Sequence, residues 1–506
     1  MINYHLINEK KYIMKYYIIL IGLALFTLSS CEDLLNVPSK TELSSGSFFQ
    51  TQEDFEKAVN AIYEPMRGFY QIGGNGGSGN LLMAEMHSDN SRYTYNPDFR
   101  ATIAQEDIAD FIYDASSGTI TTRYRTNYLM IARANEVLVR IDEMDFDQAV
   151  KDNLKGQSLF IRALCYFDLV QYFGEIPLHL EPSTSFDDVA LPLSPVDEVY
   201  AQIISDASTA AGLLPSKASQ DPGRASSDAA NALLGNVYIV RQQWSDAETA
   251  LKKVAGSLLP NYADVFVPAN KGNAELIFEA QYSQVSDQFA GDFMYWMWPM
   301  PISDSEISAI YEDNGLTPPA EVQIRANGGV NVPSLDLIEA YEDGDLRKDA
   351  TIGMGIANGV MTPFAKKYLQ PCDNFFREDV NFPIYRYSEV LLFLAEATHK
   401  QGKDDAALNY INLVRNRAGL ASLTSVSDAD ILQERRVELA LEGKRWLDLV
   451  RNNMVESVMK PYGDRIRANP QDFYFPAGVS LRNTAFQDFS TTFPLPAAEA
   501  LLSPYF

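Results

Sequence analysis

Apolar residues recur at helical rather than strand spacing through most of this chain. Phe160, Ala163, Leu164 and Phe167 fall at i, i+3, i+4 and i+7 within residues 154–173. Ala230, Leu233, Leu234 and Val237 repeat the template, and so do Ala247, Ala250, Leu251 and Val254. Residues 54–69 carry Phe55, Val59, Ile62 and Met66 on one stripe. A stripe of that period lies on one face of an α-helix, so each segment needs a neighbour to bury it. The pattern predicts a mainly α protein built from packed helix pairs.

A finer spacing runs through the stripes. Leu234-Gly235-x-x-Tyr238 is followed by Ala247 and Leu251. These are the positions of a tetratricopeptide (TPR) pair, small where the helices touch and large where they fill the groove. Leu394-Ala395-x-x-Thr398, with Ala407 and Ile411, repeats the spacing in weaker residues, and Ala163 with Tyr166 is a third partial copy. The copies are not consecutive, which excludes a simple tandem array. Residues 71–100, 258–335, 353–385 and 461–506 show no sustained period. Loops of that length in a compact protein tend to carry function, so a ligand site is expected on them.

The first residues predict export. Residues 16–28 form an apolar run, flanked by Lys15 and closed by Leu28-Ser29-Ser30-Cys31. The run is too short for a membrane span, which needs roughly 20 apolar residues. The closing tetrapeptide resembles a bacterial lipobox, whose cysteine becomes the acylated N-terminus. That makes residues 1–30 a removed signal peptide, Cys31 the lipid-bearing residue, and Met14 a better start than Met1. Glu32-Asp33 resembles an acidic tag that sends lipoproteins to the outer surface. Each buried CH₂ contributes about 0.8 kcal/mol, so two or more chains anchor stably.

The net charge is −26, with 46% hydrophobic and 21% charged residues. Removing residues 1–30 takes away three lysines and one glutamate and leaves the charge more negative still. Such a charge opposes nucleic acid and anionic headgroups and favours neutral or cationic ligands. Beyond Cys31, only Cys165 and Cys372 remain, too few for a disulfide scaffold. Cys165 sits in a helical stripe and is expected to be a buried thiol; whether the two cysteines pair is open.

The C-terminal third carries a connected series of motifs. Pro383-Ile384-Tyr385-Arg386-Tyr387-Ser388-Glu389-Val390-Leu391-Leu392 runs on to Leu394-Ala395-Glu396-Ala397. Val414-Arg415-Asn416-Arg417-Ala418-Gly419, Glu434-Arg435-Arg436-Val437-Glu438-Leu439 and Glu442-Gly443-Lys444-Arg445-Trp446-Leu447-Asp448-Leu449 follow. The series resembles the SusD/RagB family of Bacteroidetes outer-membrane nutrient-binding lipoproteins. Tyr341 to Arg347, Arg162-Ala163 through Tyr172 to Leu178, and Phe493-Pro494-Leu495-Pro496 resemble further markers of that family. The resemblance implies a mainly α, SusD-like fold, with TPR-like helix pairs as a scaffold for long irregular ligand-binding loops. It implies one domain over 31–506, with an N-terminal part to 220. The TPR hairpin, a loop-rich insert and the C-terminal part follow over 221–506. It also implies a lid on a SusC-like, TonB-dependent outer-membrane barrel that captures oligosaccharide, or in some members peptide. The motifs themselves read as scaffold: Arg435, Glu438, Glu442 and Arg445 fall at spacings that allow helical ion pairs, as do Arg386 and Glu389. Trp446 and Leu449 supply the apolar stripe.

Sugar recognition calls for flat aromatic faces together with planar hydrogen-bonding groups. Two loops carry that mixture. The first holds Asp89, Asn90, Arg92, Tyr93 and Tyr95, in a loop that the family resemblance implies for ligand binding; its alternative is a turn whose tyrosines cap the core. The second is Phe293-Met294-Tyr295-Trp296-Met297-Trp298, with two of the four tryptophans. Strand-like alternation there puts Tyr295 and Met297 on one face and Trp296 and Trp298 on the other; the alternative is a core plug. Tyr70 and Tyr311 are lesser candidates. Gly74-Asn75-Gly76-Gly77-Ser78-Gly79 with Asp98 matches G-x-G-x-x-G formally, but it follows a helix rather than a strand and reads as a loop hinge. No H-E-x-x-H, G-x-S-x-G or Walker A motif is present, and His87, His179 and His399 are isolated. The expectation is a glycan binder that is not an enzyme and needs no metal or cofactor, with a structural calcium left open. Its partners would be a SusC-like barrel, a glycan, and the membrane through Cys31. A peptide binder and a protein-binding TPR scaffold are the competing readings.

Overall fold

The computed structural model describes residues 48–72, 81–97, 103–183, 185, 189–322, 328–375 and 377–505. The signal segment, Cys31, the 74–79 glycine run and Asp98 lie outside the described residues. The chain divides into a short unit, Met1–Asp54, and a body, Phe55–Phe506.

In chain order the main helices are α1 (Gln52–Tyr70), α2 (Gly118–Leu138), α3 (Gln148–Phe173), α4 (Val196–Leu213), α5 (Ser227–Val240) and α6 (Trp244–Leu251). A short α7 (Phe293–Met297) lies in the insert, and α8 (Tyr387–His399), α9 (Asp404–Arg417) and α10 (Asp428–Glu438) follow it. Their starts are written in the sequence. Asp147 accepts from the Val150 N–H at 3.1 Å, and Ser427 with Asp430 forms a reciprocal capping box at α10.

Helices α2 to α6 pack each on the next, α6 packs on α8, and α8 on both α9 and α10. The TPR-like pairs α5–α6 and α8–α9 are therefore neighbours in space, although residues 252–386 separate them in sequence. Ala163, Tyr166, Ala395, Ala407 and Ile411 are all fully buried at these contacts. Gly235 shows why small residues recur: a Cβ there would run into the Leu251 side chain. A core of Leu391, Leu392, Ala395, Ile411, Val414 and Ile431 joins α8, α9 and α10.

The insert leaves and returns through a strand pair, β2 (Leu276–Ala280) antiparallel to β6 (Phe382–Arg386). Strands β1 (Ser91–Arg92) and β3 (Val332–Pro333) pair antiparallel, which ties the N-terminal loop to the insert. Three stretches read as irregular hold regular structure. Residues 304–313 are a helix, β4 (Ile352–Ala357) and β5 (Val360–Ala365) form a hairpin, and a helix covers Val455–Ala468. Pro461 inside that last helix hid its period, and Gly353-Met354-Gly355 hid the strand alternation. The Asn358-Gly359 turn was the available hairpin signal. Among the described residues no helix is long and apolar enough to cross a membrane. Cys165 and Cys372 are both buried and free.

The charged motifs are scaffold, but not through the predicted helical pairs. Helix α10 stops at Glu438, so Glu442 and Arg445 are not on it. Arg386 instead reaches Glu275 at 2.7 Å, Glu438 at 2.9 Å and Glu442 at 2.8 Å, all in the interior. Arg347 pairs with Asp345, Glu434 and Glu438, while Arg417 holds Glu275 and Glu438. Glu389 pairs with Arg435 and Lys444 rather than with Arg386. These partners come from five separate stretches of chain, which a local reading of spacing does not connect. Trp446 and Leu449 are buried as expected.

Candidate functional site

The first candidate loop turns mostly inward. Asp89 is 3% exposed, Asn90 1%, Arg92 1% and Tyr93 3%, which corrects the expectation that all four face a ligand. Their polar groups already have protein partners. Asp89 binds Arg445 and Arg436, each at 2.8 Å, and those two arginines hold its carboxyl low against the burial that would raise it. Asn90 donates to Glu85 at 2.8 Å and accepts from Arg436 at 2.8 Å. Arg92 pairs with Asp110 at 2.8 Å, and the Tyr93 hydroxyl donates to the same carboxylate at 2.9 Å. Only Tyr95 stays half-buried, leaning on Phe475.

The second loop is a helical turn, not a strand, and the two-face expectation changes accordingly. Phe293, Met294, Met297 and Trp298 point into the core, whereas Tyr295 and Trp296 stay half-exposed. The spacing i, i+1, i+4, i+5 is that of one helix face. Trp298 is 1% exposed and packs on Phe364, so it is a core residue rather than a ligand residue. Tyr311 is also buried, beside Cys372. Tyr70 is half-buried and stacks on Phe382.

The fold brings the two loops together. The Thr94 N–H donates to the Gly329 carbonyl at 2.7 Å, and the Gly329 N–H donates to the Trp296 carbonyl at 2.9 Å. The Thr94 hydroxyl accepts from the Met300 N–H at 2.9 Å. Tyr95 and Trp296 therefore sit on backbone that is stitched together. Two acids hold the helical turn: Glu378 accepts from the Tyr295 N–H at 3.1 Å, and Asp292 accepts from the Trp296 indole at 3.0 Å. Burial, with Asp292 close by, pushes the Glu378 carboxyl up to about 8. The sequence reading missed Asp292 and Thr94 as positioning residues, although Asp292 lies one helical turn before Trp296.

His87 stands behind the first loop. It is fully buried, its Nδ1 lies 2.6 Å from the Ile108 carbonyl, and its ring packs on Phe111 and Trp446. Burial lowers its pKa to about 3. A depressed pKa gives stability that is complete above the ordinary value of about 6.5 and is lost as pH falls toward 3. The loss at pH 4 is expected to be on the order of 3 kcal/mol. Urea midpoints of the wild type should thus fall more between pH 7 and pH 4 than those of His87→Phe. Parallel pH profiles would remove this account of His87.

Comparison with known proteins follows the same two halves. The family model described as "SusD family" matches residues 361–504. The one described as "Starch-binding associating with outer membrane" matches residues 39–239. SusD-like protein P25 of Formosa agariphila is 26% identical, over 95% of this chain and 95% of its own. The starch-binding protein SusD of Bacteroides thetaiotaomicron is 25% identical, over 59% of this chain and 64% of its own. Among solved structures, a laminarin-binding SusD-like protein superposes with a TM-score of 0.72 at 23% identity, covering 90% of this chain and 98% of its own. Surface glycan-binding protein A of Bacteroides uniformis gives 0.73 at 22% identity, covering 90% and 99%.

Proposed function

Because the chain belongs to the SusD/RagB family, we propose that it binds a glycan outside the cell and passes it to a SusC-like, TonB-dependent outer-membrane transporter. On this reading it catalyses no reaction, needs no cofactor, and is held at the outer membrane by lipid on Cys31. The observation that carries the proposal is the partly exposed Tyr295-Trp296 pair, fastened to the Thr94-Tyr95 backbone on a helical scaffold. Rigid aromatic faces of that kind offer large contact area to the C–H face of a pyranose at low entropic cost. The SusD-like proteins that match this chain include, by name, a laminarin binder matched over 98% of its length and a starch-binding protein matched over 64% of its own.

Affinity electrophoresis of the purified protein in gels containing single polysaccharides tests the proposal. Retardation by at least one polysaccharide is expected. Trp296→Ala should weaken that retardation roughly tenfold or more, since stacking on one ring contributes about 0.5–1.5 kcal/mol beyond its buried area. Retardation by none of a broad panel would overturn the reading.

A further inference from the structure

Arginine is almost always neutralised among the described residues. Among the described arginines, every one is ion-paired except Arg67 and Arg224. In a chain with 67 acidic and 41 basic residues, leaving two guanidinium groups without a carboxylate is a departure from the rule. Both line one groove of about 510 Å³ between α1, the 222–224 turn, the end of β2 and residues 288–289. That volume lies within the roughly 300–1,000 Å³ range of small-ligand clefts.

The groove is built around the two cations. Tyr63 and Arg67 are one turn apart on α1 and so share a face. The Arg67 guanidinium lies 4.9 Å from the Phe289 ring, which is 39% exposed. Arg224 lies 4.8 Å from the Tyr63 ring, and the Tyr63 hydroxyl is fixed by the Ala225 N–H at 3.0 Å. Gly223, with φ of 77°, sets Arg224: a Cβ there would press on Gln281 at 2.5 Å, so only glycine lets the turn approach β2. Gln281 and Gln288 add planar amide groups to the lining.

The acids of the groove do not cancel these charges. Glu64 pairs with Arg133 at 3.2 Å, with a side chain 57% exposed. Glu279 is buried and accepts from the Gly272 N–H at 3.1 Å and from Gln281 at 2.8 Å. Burial raises its pKa, which moves it toward the neutral form.

The groove and the aromatic pair are linked through one stretch of chain. Gln71 donates to the Ala290 carbonyl at 2.5 Å, and the Ile72 N–H donates to Asp292 at 3.2 Å, which in turn accepts from Trp296. Residues 288–289 line the groove and residues 295–296 carry the aromatic pair, so one segment bears both. We propose that this groove is a subsite for an anionic group on the glycan, a uronic carboxylate or a sulfate ester, so that the ligand is an acidic polysaccharide. The proposal rests on the glycan reading above. A guanidinium meets either anion with two parallel, charge-assisted hydrogen bonds, and the aromatic rings keep it in place. The net charge of −26 works against an acidic polymer at long range. At physiological salt, however, charges beyond about 8 Å are largely screened, and the two local arginines decide.

The test is binding of the purified protein, at 0.15 M salt, to polygalacturonate, a carrageenan and neutral laminarin. One of the two anionic polymers should bind at least tenfold tighter than laminarin, and which one it is separates carboxylate from sulfate. Arg67→Gln and Arg224→Gln should each weaken that binding roughly tenfold, the worth of one charge-assisted contact, with the far-UV dichroism unchanged. Binding of laminarin alone leaves the glycan reading standing and overturns this one. Anionic binding that survives the double substitution overturns it as well. Binding of none of the three overturns this proposal, while the glycan reading is decided by the broad panel.

Discussion

Arg386→Met is expected to lower stability by about 3–5 kcal/mol, the size of effect seen when one partner of a buried ion pair is removed. Arg386 is 1% exposed and bonds the side chains of Glu275, Glu438 and Glu442, the Ser388 hydroxyl and the Glu438 carbonyl. Methionine fills similar space but leaves three carboxylates underneutralised in the interior. Arg417 and Lys367 remain near them and keep the loss from being larger. Urea unfolding should show the drop, and Arg125→Met should cost less than about 1 kcal/mol, because an exposed pair is screened by water. Arg125 faces Glu499 with its side chain 56% exposed. The pH dependence adds a second reading. Burial alone would raise the Glu438 carboxyl, but Arg417, Arg386 and Arg347 hold it below the ordinary range. A depressed carboxylate gives stability above its unfolded pKa of about 4.5, lost as pH falls. The gap between wild type and Arg386→Met should therefore narrow from pH 7 to pH 4. A midpoint within 1 kcal/mol of wild type at pH 7 would refute the network's role.

The helical scaffold was legible because its signals are local. A stripe of period 3.6 and a small residue such as Gly235 opposite Leu251 appear in any window that contains them. The closure of the stack was not legible, because the contact between α6 and α8 joins segments on either side of the insert. The same holds for the ion pairs: the order Arg435, Glu438, Glu442, Arg445 fits a helix, yet their partners are Asp448, Glu389, Arg347, Arg386, Arg417, Lys367 and Asp89. At the candidate site, composition identified both loops but not the direction of their side chains. Asp89, Arg92 and Tyr93 have the chemistry of sugar contacts and equally that of a buried polar network, and only tertiary partners separate the two. For residues 293–298, a six-residue apolar run cannot tell strand from helix, and that choice decides whether Trp298 faces out or in. That Arg67 and Arg224 lack a carboxylate partner is likewise invisible until every other described arginine has found its acid.

That ambiguity gives the second large effect a direct readout. Asp89→Ala is expected to destabilise by about 3–5 kcal/mol, since it leaves a buried charge without its partner. Asp89 accepts from Arg445 Nε at 2.8 Å and Nη2 at 3.1 Å, with Arg436 at 2.8 Å on its other side. Its removal sets two like charges side by side, both nearly buried, with side-chain exposures of 9% and 12%. The fold around them would have to open to hydrate them. Trp296 differs: it is half-exposed, its indole bonds only Asp292, and its loss should change the urea midpoint little while weakening polysaccharide retention. The pair of variants therefore separates scaffold from site. Asp89→Ala should shift the midpoint strongly and, at a temperature where it remains folded, retain polysaccharide nearly as the wild type does. The opposite result, a wild-type midpoint with retention lost, would return Asp89 to the ligand and show that the Arg436–Arg445 pair opens when glycan binds.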